Sequence, residues 1–168
     1  DIARALLGHL GGRDDSLPLD YECKIVLLLG FLLWDGTVAA RVGASLANEI
    51  IKEYARRLSE ANTLQHAQKL RTVLLHCTGS INFSDISLVR SSTWKQLADA
   101  VVDCLCNDPD VVSLMMGEHG LPHTSTDAEK MKVQKSRIID EIVSLGFSAL
   151  ARIMSLAPSA LSHSSPRW

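Results

Sequence analysis

The sequence predicts an all-α domain of about seven helices, and three observations point to it. Apolar residues recur mainly at intervals of three and four, the spacing that places them on one face of a helix. Glycine, proline and capping residues interrupt this pattern at distances expected for helices of ordinary length. No convincing run alternates apolar and polar residues, as half-buried strands do. The expected architecture is either an irregular α-solenoid or an orthogonal helical bundle.

The first two predicted helices are separated by glycines and a polar loop. Apolar residues between Ile2 and Leu10 mark the first helix, which Gly11 and Gly12 end, because glycine is a weak helix former and a good C-terminal cap. The second helix is predicted from about Leu19 to Trp34. Since it is apolar on nearly all sides, we expect it to lie at the centre of the fold.

The third predicted helix, from about Thr37 to Glu60, is amphipathic. Apolar residues such as Ile50 and Leu58 form one side, and charged residues at helical spacing form the other. A fourth helix is predicted over residues 63–77 and is followed by a less regular stretch.

A fifth helix is predicted over residues 93–106, and a short sixth helix follows it. Asp108 suits the N-cap of this sixth helix, since its carboxylate can accept a hydrogen bond from a free backbone N–H. Pro109 suits the first helical position, where the N–H that proline lacks has no partner. Gly117 is the predicted end of this helix.

The last predicted helix begins at a capping box formed by Thr126 and Glu129. Residues 1–157 are expected to form a single helical domain, and residues 158–168, rich in Ser and Pro, a flexible polar tail. The sequence begins at Asp1 without a Met, and we expect the domain to come from a longer protein.

Composition and charge exclude several classes of protein. Hydrophobic residues make up 46% and charged residues 21% of the chain, which excludes whole-chain disorder and a collagen-like structure. The net charge of -2 makes nucleic acid an unexpected partner, because nucleic-acid binders usually carry a basic surplus. The strongest apolar run, Ile25 to Trp34, is much shorter than the ~20 residues of a membrane span, so none is expected.

The four cysteines indicate a reducing compartment. Cys23, Cys77, Cys104 and Cys106 each lie in an apolar segment rather than in a loop-rich framework. A chain of 168 residues can bury a sizeable core without disulfides. We therefore interpret the cysteines as reduced thiols of an intracellular protein, either cytoplasmic or nuclear.

One segment reads LADAVVDCLCNDPDVVSLMM, an apolar helix followed by an Asp-Pro turn and by two valines that open the next helix. This pattern, within residues 96–116, resembles the helix–turn–helix unit of HEAT and armadillo repeats. In that family the Asp-Pro pair makes the turn inside a repeat. The resemblance implies that the domain binds other proteins along an extended concave surface. It implies no catalytic residue and no cofactor.

The predicted function is protein–protein interaction as a scaffold domain, in which a partner helix or extended peptide docks in a groove between helix pairs. The predicted contact surface consists of basic residues on the polar faces of the third and last helices. These residues are Arg41, Lys52, Arg56, Lys132 and Lys135. Because Glu49 and Glu53 lie among them, a solvated face of mixed charge is the alternative interpretation.

A different class of function, a small metal-binding or enzymatic module, is the alternative prediction. Cys104 and Cys106 are followed after twelve residues by His119 and His123, which matches the second half of a zinc-finger pattern. Two cysteines at this spacing on a helix point about 200° apart, which disfavours a shared zinc ion. The histidines could instead transfer protons near neutral pH. Packed thiols and solvated histidines are the expected outcome, without metal or catalysis.

Overall fold

The computed structural model describes residues 2–12, 17–62, 67–83, 89–108, 111–112 and 127–160, with the backbone alone for residues 127–132. Seven α-helices and no strand are found in these ranges, which confirms the predicted all-α fold. The helices are α1 (Ile2–Gly11), α2 (Leu19–Trp34), α3 (Gly36–Val42), α4 (Ala44–Asn62), α5 (Gln68–Gly79), α6 (Ser91–Cys106) and α7 (Asp127–Leu156).

Gly43 divides the segment that the sequence predicts as one helix from Thr37 to Glu60. Its backbone has φ +86° and ψ 153°, a conformation that interrupts a helix and that side chains other than glycine rarely adopt. Asp35 caps α3, accepting hydrogen bonds from the Thr37 backbone N–H at 2.7 Å and from the Thr37 hydroxyl at 2.6 Å. These bonds hold the pKa of Asp35 below its ordinary value.

Asp108 caps the next helical turn after α6, as the sequence predicts. Its carboxylate accepts a hydrogen bond from the Val111 N–H at 3.3 Å, and Val111 and Val112 are helical. Arg71 of α5 donates to the same carboxylate at 2.6 Å, and only 4% of the Arg71 side chain is exposed. Because a buried charge is costly without a partner, this ion pair fixes the end of α6 against α5.

The core lies where α4 packs against α6 and α5, and where α7 covers α5 and α6. Tyr54 and Leu58 of α4, Leu74 of α5, Leu97 of α6 and Ile153 of α7 are all fully buried there. The apolar side predicted for the third helix is thus the central face of the domain. On the other side, α1 packs against α2 and α4, and α2 packs against α5 and α3.

The expectation that α2 lies at the centre of the fold is wrong. Val26, Leu29 and Leu33 are fully buried, but Phe31 and Trp34 are 56% and 58% exposed. The helix packs its buried side on its neighbours and leaves an apolar side open. No single helix in the described ranges has the length and hydropathy of a membrane span; α2 and α3 meet this criterion only when joined across a bend of 103°.

The C-terminal helix α7 is 30 residues long and continues through Gly146 without a break. After it, Pro158–Ala160 form a short 3-10 turn that packs against α6 and α7 and buries Ala160. The first three residues of the predicted 158–168 tail are therefore packed on the domain, while residues 161–168 lie outside the described ranges.

Candidate functional site

The candidate site is an open groove of about 990 Å³ between α1, α4 and α6. Its small or apolar lining residues are Leu7 and Gly8 of α1, Ala55 of α4 and Ala100 of α6. Ala55 and Ala100 are 4% and 1% exposed. Small side chains at these positions leave the space between the helices open above a closed floor.

Two sets of polar contacts hold α4 and α6 at a fixed separation. Asn48 accepts hydrogen bonds from the Arg90 backbone N–H at 3.1 Å and the Thr93 hydroxyl at 2.9 Å. Asn62 donates from its amide to the Ala100 carbonyl at 3.1 Å. These contacts join the helices near both ends of α4, so the groove walls are preformed.

The rim of the groove carries more carboxylates than cations, but Lys95 pairs with Asp99 at 3.1 Å and Arg57 pairs with Glu60 at 3.4 Å from outside the lining, so the acidic charge is concentrated at Glu49 and Asp103. Its five carboxylates belong to Glu49, Glu53, Glu60, Asp99 and Asp103. Its three cationic side chains are those of Arg4, Lys52 and Arg56. Among the carboxylates, Glu49 and Asp103 are exposed on opposite walls. Glu49 accepts a hydrogen bond from the Ser45 hydroxyl, and Asp103 accepts one from the side-chain amide of Asn107, the residue after α6.

Arg56 binds groups of the protein itself. Its guanidinium pairs with Glu53 and Glu60 and donates to the Leu10 carbonyl at 3.1 Å. The hydrogen bond with Glu53 raises the pKa of Arg56. Arg57 reaches the same Leu10 carbonyl from its Nε at 2.9 Å. Both arginines therefore anchor the C-terminal end of α1, where cations complement the helix dipole.

The structure brings together two of the five residues that the sequence predicts as a contact surface. Lys52 and Arg56 line the groove. Arg41 is exposed on α3, and Lys135 is exposed on α7, so both lie on other helices. Lys132 falls within α7, and its side chain lies outside the described part of the chain.

Sequence reasoning missed the α6 wall of the groove. Gln96, Asp99 and Asp103 recur at intervals of three and four on α6, which is a recognisable polar stripe. The stripe alone does not show which helix faces it, because that depends on tertiary packing. Arg4 of α1 was missed for the same reason.

The alternative metal or catalytic site is not assembled in the described residues. Cys104 is 1% exposed, and burial raises its pKa to about 11, whereas Cys106 is exposed. The two thiols therefore lie on different sides of α6. No group of three His, Cys, Asp or Glu side chains within the described ranges is placed to hold a metal ion. His119 and His123 lie outside those ranges, so their role stays a prediction.

Comparison with known proteins assigns no family to this chain. No protein-family model, curated protein or solved structure shows significant similarity to the sequence. The class of the protein is thus defined by its helices, as an all-α domain.

Proposed function

We propose that the chain is a protein-interaction domain of a larger intracellular protein, and that its groove binds a basic, amphipathic helix or extended peptide. The observation that carries this proposal is the groove between α1, α4 and α6, which combines a floor of buried alanines with the exposed carboxylates of Glu49 and Asp103 at its rim. A partner helix can place small apolar side chains on such a floor while its flanking lysines and arginines face the rim.

Charge favours a basic partner over an acidic one. The exposed carboxylates of Glu49 and Asp103 attract cations during encounter, and they would repel an acidic peptide. Lys52 and Arg56 remain part of the binding surface, although Arg56 is already bound to two glutamates. Their expected contribution is to fix the register of the bound segment by contact with its acidic or polar residues.

The remaining parts of the proposal follow the sequence predictions. An α-solenoid of the HEAT or armadillo type is retained because the Asp108 cap and the helical valines after it match that repeat turn. An intracellular setting is supported by Cys23, Cys77 and Cys104, which pack in the core as small apolar groups. The proposed function includes no catalysis, no cofactor and no nucleic-acid partner.

The test uses a fluorescent model peptide, a helix with an alanine and leucine face flanked by lysines, and measures its binding by anisotropy. Reversing two of the exposed rim charges with Glu49→Lys and Asp103→Lys is expected to weaken binding by about tenfold, equivalent to ~1.4 kcal/mol. Added salt is expected to weaken binding to the unmodified chain, since the rim contacts are exposed to solvent.

The matched control is the double variant Asp140→Lys and Glu141→Lys, which makes the same charge change on exposed positions of α7. It is expected to bind the peptide as the unmodified chain does. If both double variants lose affinity equally, only the net charge of the chain matters, and the groove is not the site. Absence of binding to the unmodified chain would also reject the proposal.

A further inference from the structure

Five of the nine exposed large apolar side chains in the described part of the chain lie on one helix, α2. Tyr21, Leu28, Phe31 and Trp34 are 58%, 52%, 56% and 58% exposed. The rings of Phe31 and Trp34 lie 5.7 Å apart. Contiguous apolar patches of this kind on a soluble domain usually mark an interaction surface.

Charges at the two ends of this surface indicate what covers it. Lys24, Leu28 and Phe31 follow one another at intervals of four and three, so they form one stripe along the helix. Asp35 lies four positions after Phe31 and directly after the last residue of α2, with an extended backbone and its carboxylate bound to Thr37. Lys24 is exposed, with its ammonium 5.2 Å from the centre of the Tyr21 ring. Asp35 is exposed at the other end, where α3 turns away by 103°. The stripe is thus positive at its start and negative at its end.

We propose that this α2 stripe, Lys24 to Asp35, binds the same stripe of a second copy of the chain in antiparallel orientation. A twofold axis between Leu28 and Phe31 places Leu28 of each copy against Phe31 of the other. The same axis places each Lys24 beside Asp35 of the second copy, so two equivalent ion pairs form at the ends of the contact.

The alternative arrangements of two such helices are less favourable. A parallel pair would place Lys24 beside Lys24 and Asp35 beside Asp35, and like charges in contact repel. An antiparallel pair with its axis moved by two residues, to a point between Leu27 and Leu28, has its register shifted by four residues and would lose both ion pairs. The charge pattern therefore selects one orientation and one register of the pair, and a second copy supplies both.

This inference is independent of the proposed peptide groove. The residues that line the groove belong to α1, α4 and α6, and none belongs to α2. A dimer formed through α2 leaves those residues in place. Loss of the dimer and loss of peptide binding are consequently separate results.

Sedimentation velocity over a range of concentrations tests the dimer directly. The chain is expected to shift reversibly from its 18.3 kDa monomer to twice that mass as its concentration rises. Phe31→Glu, which puts two carboxylates into the contact, is expected to raise the dissociation constant by at least about tenfold. Phe147→Glu is the matched control, since Phe147 on α7 is 55% exposed, and it should leave the dissociation constant unchanged.

A charge exchange identifies the partner as a second copy in this register. Lys24→Glu alone and Asp35→Lys alone are each expected to weaken self-association, since each homodimer then holds two like-charge contacts. Mixing the two variants is expected to restore a heterodimer. In it, the introduced glutamate of one copy faces the introduced lysine of the other, and the remaining native Lys24 and Asp35 face each other. Asp35→Lys also removes the α3 cap, so circular dichroism confirms the fold of each variant.

Four results would overturn the proposal. The first is a chain that stays monomeric at all concentrations, and the second is an equal change of the dissociation constant in Phe31→Glu and Phe147→Glu. The third is a Lys24→Glu variant that self-associates as strongly as the unmodified chain. The fourth is a mixture of the two folded charge variants that forms no heterodimer. Binding of a monomeric chain to phosphatidylcholine and phosphatidylserine vesicles would instead assign the stripe to a membrane surface. If Asp35→Lys does not fold, the Phe31→Glu and Lys24→Glu results decide the matter.

Discussion

At the scale of single residues, Gly146 allows α7 to approach α6 closely. A Cβ at this position would lie 2.7 Å from Cδ2 and 3.0 Å from Cγ of Leu105, a residue that is 4% exposed. Overpacking of this kind costs ~1–3 kcal/mol, and the better helix propensity of alanine offsets ~1 kcal/mol of that cost. We therefore expect Gly146→Ala to lower the free energy of unfolding by about 1 kcal/mol, measured by urea denaturation.

Gly8 of α1 provides the control for this substitution. A Cβ at Gly8 would meet no atom of the described residues within 4 Å, so only helix propensity changes. Gly8→Ala is expected to raise the free energy of unfolding by ~0.5–1 kcal/mol. Stabilisation by both substitutions would show that Leu105 moves aside freely and that the contact at Gly146 does not limit the packing.

The two glycines also show why residue roles were only partly predictable. In the sequence, Gly146 is a glycine within a helical pattern, where a bend is a reasonable expectation. The helix is continuous there, and the physical reason for a small residue is Leu105, which lies 41 positions earlier in the chain. The spacing of residues along the sequence does not show that Gly146 and Leu105 come into contact.

At the scale of elements, the break between α3 and α4 depends on one backbone conformation. Gly43 has φ +86°, and a Cβ there would contact no described atom within 4 Å. Any cost of a side chain is therefore backbone strain, which is ~1–3 kcal/mol in such conformations. We expect Gly43→Ala to lower the free energy of unfolding by the same ~1–3 kcal/mol, which is seen as a lower midpoint of urea unfolding, with Gly8→Ala again as the control. An unchanged midpoint would show that α3 and α4 can join into one helix without loss.

Helix ends were more predictable than helix faces. The end of α1 at Gly11 and the cap at Asp108 were predicted from local chemistry, and in the structure α1 ends at Gly11 and Asp108 accepts from the Val111 N–H. Gly43 was missed because it lies in a run with otherwise helical spacing. The exposed side of α2 was missed because an apolar residue favours burial but does not specify which neighbour provides it.

The candidate groove likewise has one wall that local sequence predicted and one wall that depends on contacts between distant residues. The polar side of α4 was predictable from spacing, and Lys52 and Arg56 do line the groove. The opposite wall on α6 depends on how two helices some 40 residues apart are paired, and Asn48 with Thr93 secures that pairing. Local sequence therefore predicted the polar side of α4, and long-range contacts determine which helix faces it.

At the scale of the whole molecule, the buried thiols are expected to lower the free energy of unfolding as the pH rises into the alkaline range. Burial raises the pKa of Cys77 and of Cys104 from 9.0 to about 11, and it raises the pKa of the fully buried Tyr54 well above its ordinary value. Below pH 9.0 the thiols are protonated in both the folded and the unfolded chain, so their contribution is constant. Above it, the unfolded chain loses these protons first and is favoured.

The free energy of unfolding is consequently expected to fall between pH 9.0 and about 11, by up to ~3 kcal/mol for each of the two thiols. The Cys77→Ala and Cys104→Ala double variant should be less stable at neutral pH, because it loses core packing, but its stability should decline less steeply in this range. Cys106→Ala, at an exposed position, should keep the slope of the unmodified chain. Urea unfolding measured at several pH values tests this, and equal slopes in all three proteins would mean that other groups control alkaline unfolding.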